Sequence, residues 1–400
     1  MEDVDSLNSL DAESIIDSFR QGTVPAIHPE LYLLGRNRNY LSAVARDFER
    51  TKLGNSKVRF LAAPWGGGKT HLLTIAKQKA LESNLVVSYV ELHSREAPFD
   101  KFEVIFHKIL KNIALRDGNG IEYMLENWAK KFPFYEAQEV DRELRRISPS
   151  LDFRSALRAT LHYANTNSPD HRRYLQGIVA WLQGARVVSE VSKTAGIKSN
   201  ITIDNVSEIF RSFLNFIHEC KYGGLVLLLD EAEAITSLSQ SQRRKDANQN
   251  IRKLLDNADN NRGIYILFST TLEFLNNKET GAQSYPALWT RIRNMTGHGE
   301  QFQTTKSVIL NLPPLDKEIL GELAFLVINT HEVAYGWDAK EKFKPDYKHL
   351  YISQFLQKGD IRMIRTFIKG LVYTLDIANE QSDVDIKEVI EGIAFESEMD

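Results

Sequence analysis

Eight consecutive residues constrain this chain more than any others: Ala63-Pro64-Trp65-Gly66-Gly67-Gly68-Lys69-Thr70. They follow VRFLAA (58–63), a short apolar run rich in strand formers. They precede HLLTIAKQKALES, in which Leu72, Leu73, Ile75, Ala76 and Ala80 recur at helical spacing. The order is strand, tight loop, helix. The phosphate-loop pattern is G-x-x-x-x-G-K-[ST]. Its last three positions match, and Ala63 stands where the first glycine is usual. Glycines let the backbone curl until successive N–H groups point at a phosphate. The start of the following helix adds partial positive charge. On this reading Pro64, Trp65, Gly66, Gly67, Gly68, Lys69, Thr70 and His71 bind ATP. Lys69 supplies a point charge for the β- and γ-phosphates, and Thr70 offers its hydroxyl to Mg²⁺. Trp65 is expected to pack on the rim. A glycine turn beside a chance Lys-Thr would not need a strand before it and a helix after it.

A second motif sharpens the first. Leu225-Val226-Leu227-Leu228-Leu229-Asp230-Glu231-Ala232-Glu233 follows Gly223-Gly224. An unbroken apolar run is what a strand buried on both faces looks like. Asp230 at its tip is placed to hold Mg²⁺ near Thr70, and Glu231 to orient or deprotonate a water in line with the γ-phosphate. Adjacent Asp230 and Glu231 point to nucleoside triphosphatases that carry their own catalytic glutamate rather than to GTPase switches or small-molecule kinases. Ser269, Thr270 and Thr271 end a later strand, where Thr270 could touch the γ-phosphate or the attacking water. Arg291 and Arg293, in PALWTRIR, could reach a nucleotide held by a neighbouring subunit. Arg362, in GDIR, could reach back to the phosphates, with Arg365 one turn further on. Gly35 and Arg36, before the first strand, are placed to line an adenine pocket.

The remaining pattern fills in an architecture. VVSYVE (86–91), LVLLL (225–229), IYILFST (264–270) and SVILNL (307–312) join the first run to make five short strands. Helical patterns separate them, so the expected fold is α/β: a parallel five-stranded sheet with helices on both faces. Residues of about 100–205 read as an all-helical insertion. The domain reading is an N-terminal helical segment over 1–50, an ATPase core over 51–312 and a C-terminal helical lid over 313–400. Hydrophobic residues at 42% and charged residues at 26% are ordinary globular usage, which excludes a disordered or disulfide-stapled chain. The single cysteine, Cys220, cannot form an internal bridge. No apolar run approaches the roughly 20 residues of a membrane helix. A cytoplasmic protein without membrane contact is the expectation. The acidic ends, net −5 over 1–20 and −7 over 380–400, leave a body of +9. That balance is compatible with a polyanion partner such as DNA and equally with a solvated surface.

Taken in order, APWGGGKT, LVLLLDEAE, a polar strand end, PALWTRIR and GDIR resemble an AAA+ P-loop ATPase of the ASCE type, nearest the ORC/Cdc6–STAND branch. Three further segments resemble the BREX-type ATP-binding proteins (BrxD-like) of bacterial phage-defence operons. These are IIDSFRQGTVP with LLGRNRNYL, WLQGARVVSEVSKTAGIKSNITIDNVSEIFRSF, and KYGGLVLLLDEAEAI. The likeness spans about residues 13–375. It implies ATP hydrolysis in a homo-oligomer with sites at subunit interfaces. It also implies other defence-system proteins, helicase- or nuclease-like, as partners, and DNA as a possible one. Ala63 in place of glycine, and Ser269 or Thr270 where many relatives place asparagine, are departures from the pattern. After the lid there is no room for a winged-helix domain, so DNA contact would come from the core or the insertion. A motor or loader acting on DNA or a partner protein is the leading expectation. An ATP-gated scaffold or sensor with slow hydrolysis is the alternative.

Overall fold

The computed structural model describes residues 4–395 apart from 36, 133–135, 165–168, 187–188, 257–261, 294–303, 313–315, 359–363, 382 and 394. The chain is mixed α/β around a sheet of six strands: β1 (Lys57–Ala62), β2 (Val86–Glu91), β3 (Ile113–Ala114), β4 (Leu225–Asp230), β5 (Ile264–Thr270) and β6 (Ile309–Asn311). Their order is β3-β2-β4-β5-β1-β6. The β2–β4 and β4–β5 ladders are parallel, with Glu91 opposite Asp230 and Leu229 opposite Phe268. All residues of β4 and β5 are buried, which is why both read as apolar runs without alternation.

Five strands were expected and six are present. The additional one, β3, pairs antiparallel with β2. Its sequence, Ile113-Ala114, continues the apolar pattern of the helix Phe102–Lys111. Periodicity cannot separate a two-residue edge strand from one more turn of such a helix. At the start of β4, Gly224 (φ 148°) lies so near the chain before β5 that a Cβ would sit 2.4 Å from the Gly263 carbonyl oxygen. A side chain there would push the two strands apart.

Two compact units emerge, each discontinuous in sequence. The larger comprises residues 43–61 and 76–309. It contains most of the sheet and the helices Phe102–Lys111, Gly120–Lys131, Ala137–Ile147, Leu151–Tyr163, Pro169–Leu182 and Ser189–Ala195 of the insertion. Helix Val206–Glu219 anchors these, with Phe210 edge-on to Phe106 and Phe216 edge-on to Trp128 and Phe153. The smaller unit comprises residues 1–42, 62–75 and 310–400. There Ile15, Ile16 and Phe19 of helix Ser9–Arg20 share a core with Leu323 and Val327 of helix Lys317–Tyr335 and Phe367 and Leu371 of helix Ile364–Glu380. Arg20 closes that core by donating to both oxygens of Asp376, at 3.0 and 2.8 Å. Burial opposes ionisation of Asp376, but His331 and Arg20 together hold its carboxyl below the usual range. Among the described residues no helix is long and apolar enough to cross a membrane.

One buried ion pair ties the larger unit together. Asp47 and Arg59 are 4% and 2% exposed, with Arg59 Nε donating to Asp47 at 2.6 Å. Arg59 also donates to the carbonyls of Thr305 and Ser307, and Lys57 reaches the other Asp47 oxygen at 2.9 Å. Removing one partner leaves the other charge buried and uncompensated. Asp47→Ala is therefore expected to destabilise the protein by about 3–5 kcal/mol, read as a lowered midpoint in urea. An unchanged midpoint would mean that the pair carries no net stability.

Candidate functional site

Ala63 to Thr70 form a tight curl that leads into helix Lys69–Glu82. Gly66 (φ 71°) and Gly68 (φ 84°) adopt left-handed conformations on either side of Gly67. A Cβ on Gly67 would lie 2.9 Å from the Ala63 Cβ and 3.0 Å from the Pro64 carbonyl oxygen. The Gly67 N–H donates to that same oxygen at 3.1 Å. Ala63 fits the first position because its methyl group packs where a side chain on Gly67 would otherwise go. The lysine is folded in: Lys69 is 7% exposed, and its ammonium donates to the carbonyls of Ala63 and Pro64 at 3.2 and 3.3 Å. Its Nζ stands 5.3 Å from the centre of the Trp65 ring, a cation–π distance. Trp65 itself is 56% exposed, so it does not pack down as expected for a rim residue.

His71 is engaged inside the protein. Its Nε2 lies 2.6 Å from the carbonyl oxygen of Pro29, which fixes Nε2 as the protonated nitrogen. Burial lowers its pKa, so the ring is neutral. That bond fastens the N-terminal turn Pro29–Tyr32 to the start of the loop's helix. Gly35 takes a positive φ of 52° and faces Ile319. Arg36 and Arg362 lie outside the described residues. The helix after Arg362 approaches the loop, since a Cβ on Gly68 would meet Ile364 Cδ1 at 3.5 Å.

In the larger unit, β4 delivers Asp230 to a place where it is 4% exposed. A charge there needs donors. Tyr89 of β2 donates its hydroxyl to one carboxylate oxygen, and Ser269 of β5 donates to the other. The Glu231 N–H adds a third bond to Asp230 at 3.0 Å. Burial, then the charge of Asp230, raises the Tyr89 pKa, so the phenol stays protonated and keeps donating. Glu231 holds left-handed backbone angles, φ 57° and ψ 46°. For a residue with a Cβ this is strained by about 1–2 kcal/mol. Thr270 is fully buried, and its hydroxyl finds no hydrogen-bond partner among the described residues. Of the three polar residues read at the end of β5, Ser269 is the one that touches Asp230. Tyr89 escaped the sequence reading. Its only signal was a tyrosine near the end of a strand adjacent to the acidic one.

The two finger candidates differ. Arg291 bonds to Asp256 and to the Ala287 carbonyl at 2.7 Å, so its guanidinium is committed within the chain. The Arg293 side chain is exposed and makes no hydrogen bond or ion pair among the described residues. In helix Ser241–Asp256, which follows the acidic motif, Arg243 pairs with Asp100 at 2.7 Å, Arg244 donates to the Leu238 carbonyl, and Arg252 pairs with Asp256.

The shape of the loop fits a nucleotide phosphate. The curl leaves no room for a Cβ at Gly67, it holds Gly66 and Gly68 in left-handed angles, and the loop ends on a helix start. No group of three His, Cys, Asp or Glu side chains able to cage a metal occurs among the described residues.

Comparison with curated proteins finds no match. Among solved structures, the chain is similar to the ORC2 protein of Aeropyrum pernix, described in ADPNP–ADP complexes. The identity is 13%, the match covers 90% of this chain and 68% of that one, and the TM-score is 0.48. A family model described as "BREX system ATP-binding protein BrxC/D" matches residues 7–393. With nearly its whole length matched, the chain belongs to the BREX system ATP-binding protein BrxC/D family.

Proposed function

We propose that the protein hydrolyses ATP to ADP and phosphate as an AAA+-type subunit of a bacterial phage-defence system. It would act in the cytoplasm, within a homo-oligomer whose sites lie at subunit interfaces. The observation that carries this reading is the curled glycine loop, which ends on a helix start with the Lys69 ammonium folded into it. Backbone N–H groups of Gly66 to Thr70 bind the phosphates, and Lys69 leaves its carbonyl contacts for the β- and γ-phosphates. Gly35, Arg36 and the Pro29 turn held by His71 border the adenine. Thr70 and Asp230 hold the metal site. Mg²⁺, when bound, neutralises charge on the β- and γ-phosphates. Glu231, held in its unusual backbone conformation, orients the attacking water and takes its proton, and Thr270 offers a hydroxyl to the γ-phosphate side. Arg293 is the better finger toward a neighbouring subunit, because Arg291 is bound to Asp256. Arg362 contacts the phosphates from the C-terminal helices. The working divisions are 1–50, 51–312 with its insertion, and 313–400.

The motor would act on DNA or on a partner protein, with helicase- or nuclease-like components of the system beside it. One observation favours the alternative of an ATP-gated scaffold. Arg243, Arg244 and Arg252 are tied to groups of their own chain, which leaves that helix with few cations to offer DNA phosphates.

Calorimetric titration with Mg-ATP is expected to show binding to the parent protein and none to Lys69→Ala. Binding by the variant at parental affinity would remove the loop from the site. Glu231→Gln is expected to bind Mg-ATP while turnover falls about 10²–10⁴-fold. Parental turnover in a phosphate-release assay would contradict its role as base. Tyr89 is a positioning residue that aims the Asp230 carboxylate. Tyr89→Phe should raise the Mg²⁺ concentration needed for half-maximal turnover several-fold and leave the KM for ATP at saturating Mg²⁺ nearly unchanged. An unaltered metal requirement would reduce the Tyr89 contact to packing.

A further inference from the structure

A cavity of about 960 Å³ opens within the smaller unit, and its wall includes Trp65 and Gly66 at the outer edge of the phosphate loop. The facing wall is helix Ile364–Glu380, which contributes Arg365, Lys369 and Tyr373. These three are spaced i, i+4 and i+8, so they form one stripe along the helix. Lys69 and Thr70 do not line the space, nor do Pro29 to Gly35 on the expected adenine side. The cavity therefore adjoins the proposed nucleotide cradle, sharing with it Trp65 and Gly66 at the outer edge of the loop.

Its charges divide into committed and uncommitted. Arg20 and Asp376 on the wall satisfy one another, and His331 donates to Asp376 as well. Arg365 and Lys369 are exposed and make no ion pair or side-chain hydrogen bond among the described residues. Glu388 is the remaining acid on the wall, so the net surplus is a single positive charge. Two large aromatic side chains border the same space, Trp65 at 56% exposure and Tyr373 at 60%. One face of Trp65 is turned to the Lys69 ammonium, which leaves the other for a ligand. Exposed aromatic rings beside unpaired cations suit a ligand with a flat π-face and a phosphate. The volume is at the upper end of the range for small-molecule sites, about 300–1,000 Å³. The small surplus of charge suits one or two phosphates and not a triphosphate.

We propose that this cavity is a second site for a nucleoside phosphate, with the base stacked on Trp65 or Tyr373 and the phosphate on Arg365 and Lys369. The unit could come from a free nucleotide or from a single strand of nucleic acid. Occupancy would place the ligand against the outer edge of the ATP-binding loop.

The test uses the full-length protein saturated with Mg-ADP, so that the loop is filled. It is titrated with a short fluorescein-labelled oligothymidylate, and separately with thymidine 5′-monophosphate by calorimetry. At least one probe is expected to bind, more weakly as salt is raised. Lys369→Glu and Tyr373→Ala should each weaken that binding by about ten-fold, while Tyr373→Phe, which keeps the ring, should not. Mg-ADP affinity should be the same in all variants, which also reports that they are folded. Much tighter binding of the oligonucleotide identifies a strand as the source, and comparable binding of the two probes identifies a free nucleotide. The proposal is overturned if neither probe binds the parent, or if Lys369→Glu and Tyr373→Ala both bind as the parent does. Failure of Mg-ADP itself to bind would strike the phosphate-loop reading and not this one, because the two probes can be titrated without it.

Discussion

Asp230 sits at the tip of a strand buried on both faces, and an ionised carboxylate in that place is tolerated only if donors converge on it. Tyr89, Ser269 and the Glu231 amide do so, from different pieces of chain. The consequence is geometric. Both oxygens are held in fixed directions, and β2, β4 and β5 are tied together at this end of the sheet. The Glu231 amide donates to Asp230 and, at 3.3 Å, to Ser269, while the left-handed angles of Glu231 turn the chain that follows away from the strand direction.

The phosphate loop works by the opposite device. Where Asp230 is fixed by side chains, the loop is shaped by their absence. Gly67 has no room for a methyl group, and Ala63 occupies the space that the missing side chain leaves. The one long side chain in the curl, Lys69, satisfies loop carbonyls and lies near the Trp65 ring. On the proposed reading, a ligand phosphate competes with the carbonyls already bound to the ammonium, which ties affinity to how readily Lys69 exchanges partners.

Much of this was legible in the residues, for identifiable reasons. The curl was legible because it depends on glycines and on a short spacing. β4 and β5 were legible because double-sided burial demands unbroken apolar runs. What escaped depended on distance along the chain. Tyr89 meets Asp230 across 141 positions, and Arg291 is neutralised by Asp256, 35 positions upstream. Neither partner announces itself locally. β3 escaped for another reason: two residues are too few to establish a period. The family resemblance pointed to the proposed nucleotide-binding residues but not to the cavity, because Arg365, Lys369 and Tyr373 lie outside the motifs that carry it and become a set only on the folded helix.

The sharing of one apolar core by helix Ser9–Arg20 and helices more than 300 positions later bears on how the protein is made. Ribosomes add about 5–20 residues per second, so Ile15, Ile16 and Phe19 emerge roughly 15–70 s before the surfaces that cover them. Throughout that interval the nascent N-terminus offers a sticky amphipathic helix to chaperones, or to other copies on the same polysome. The phosphate loop belongs to the same late-closing unit, so the ability to grip nucleotide would be among the last properties the newborn chain acquires.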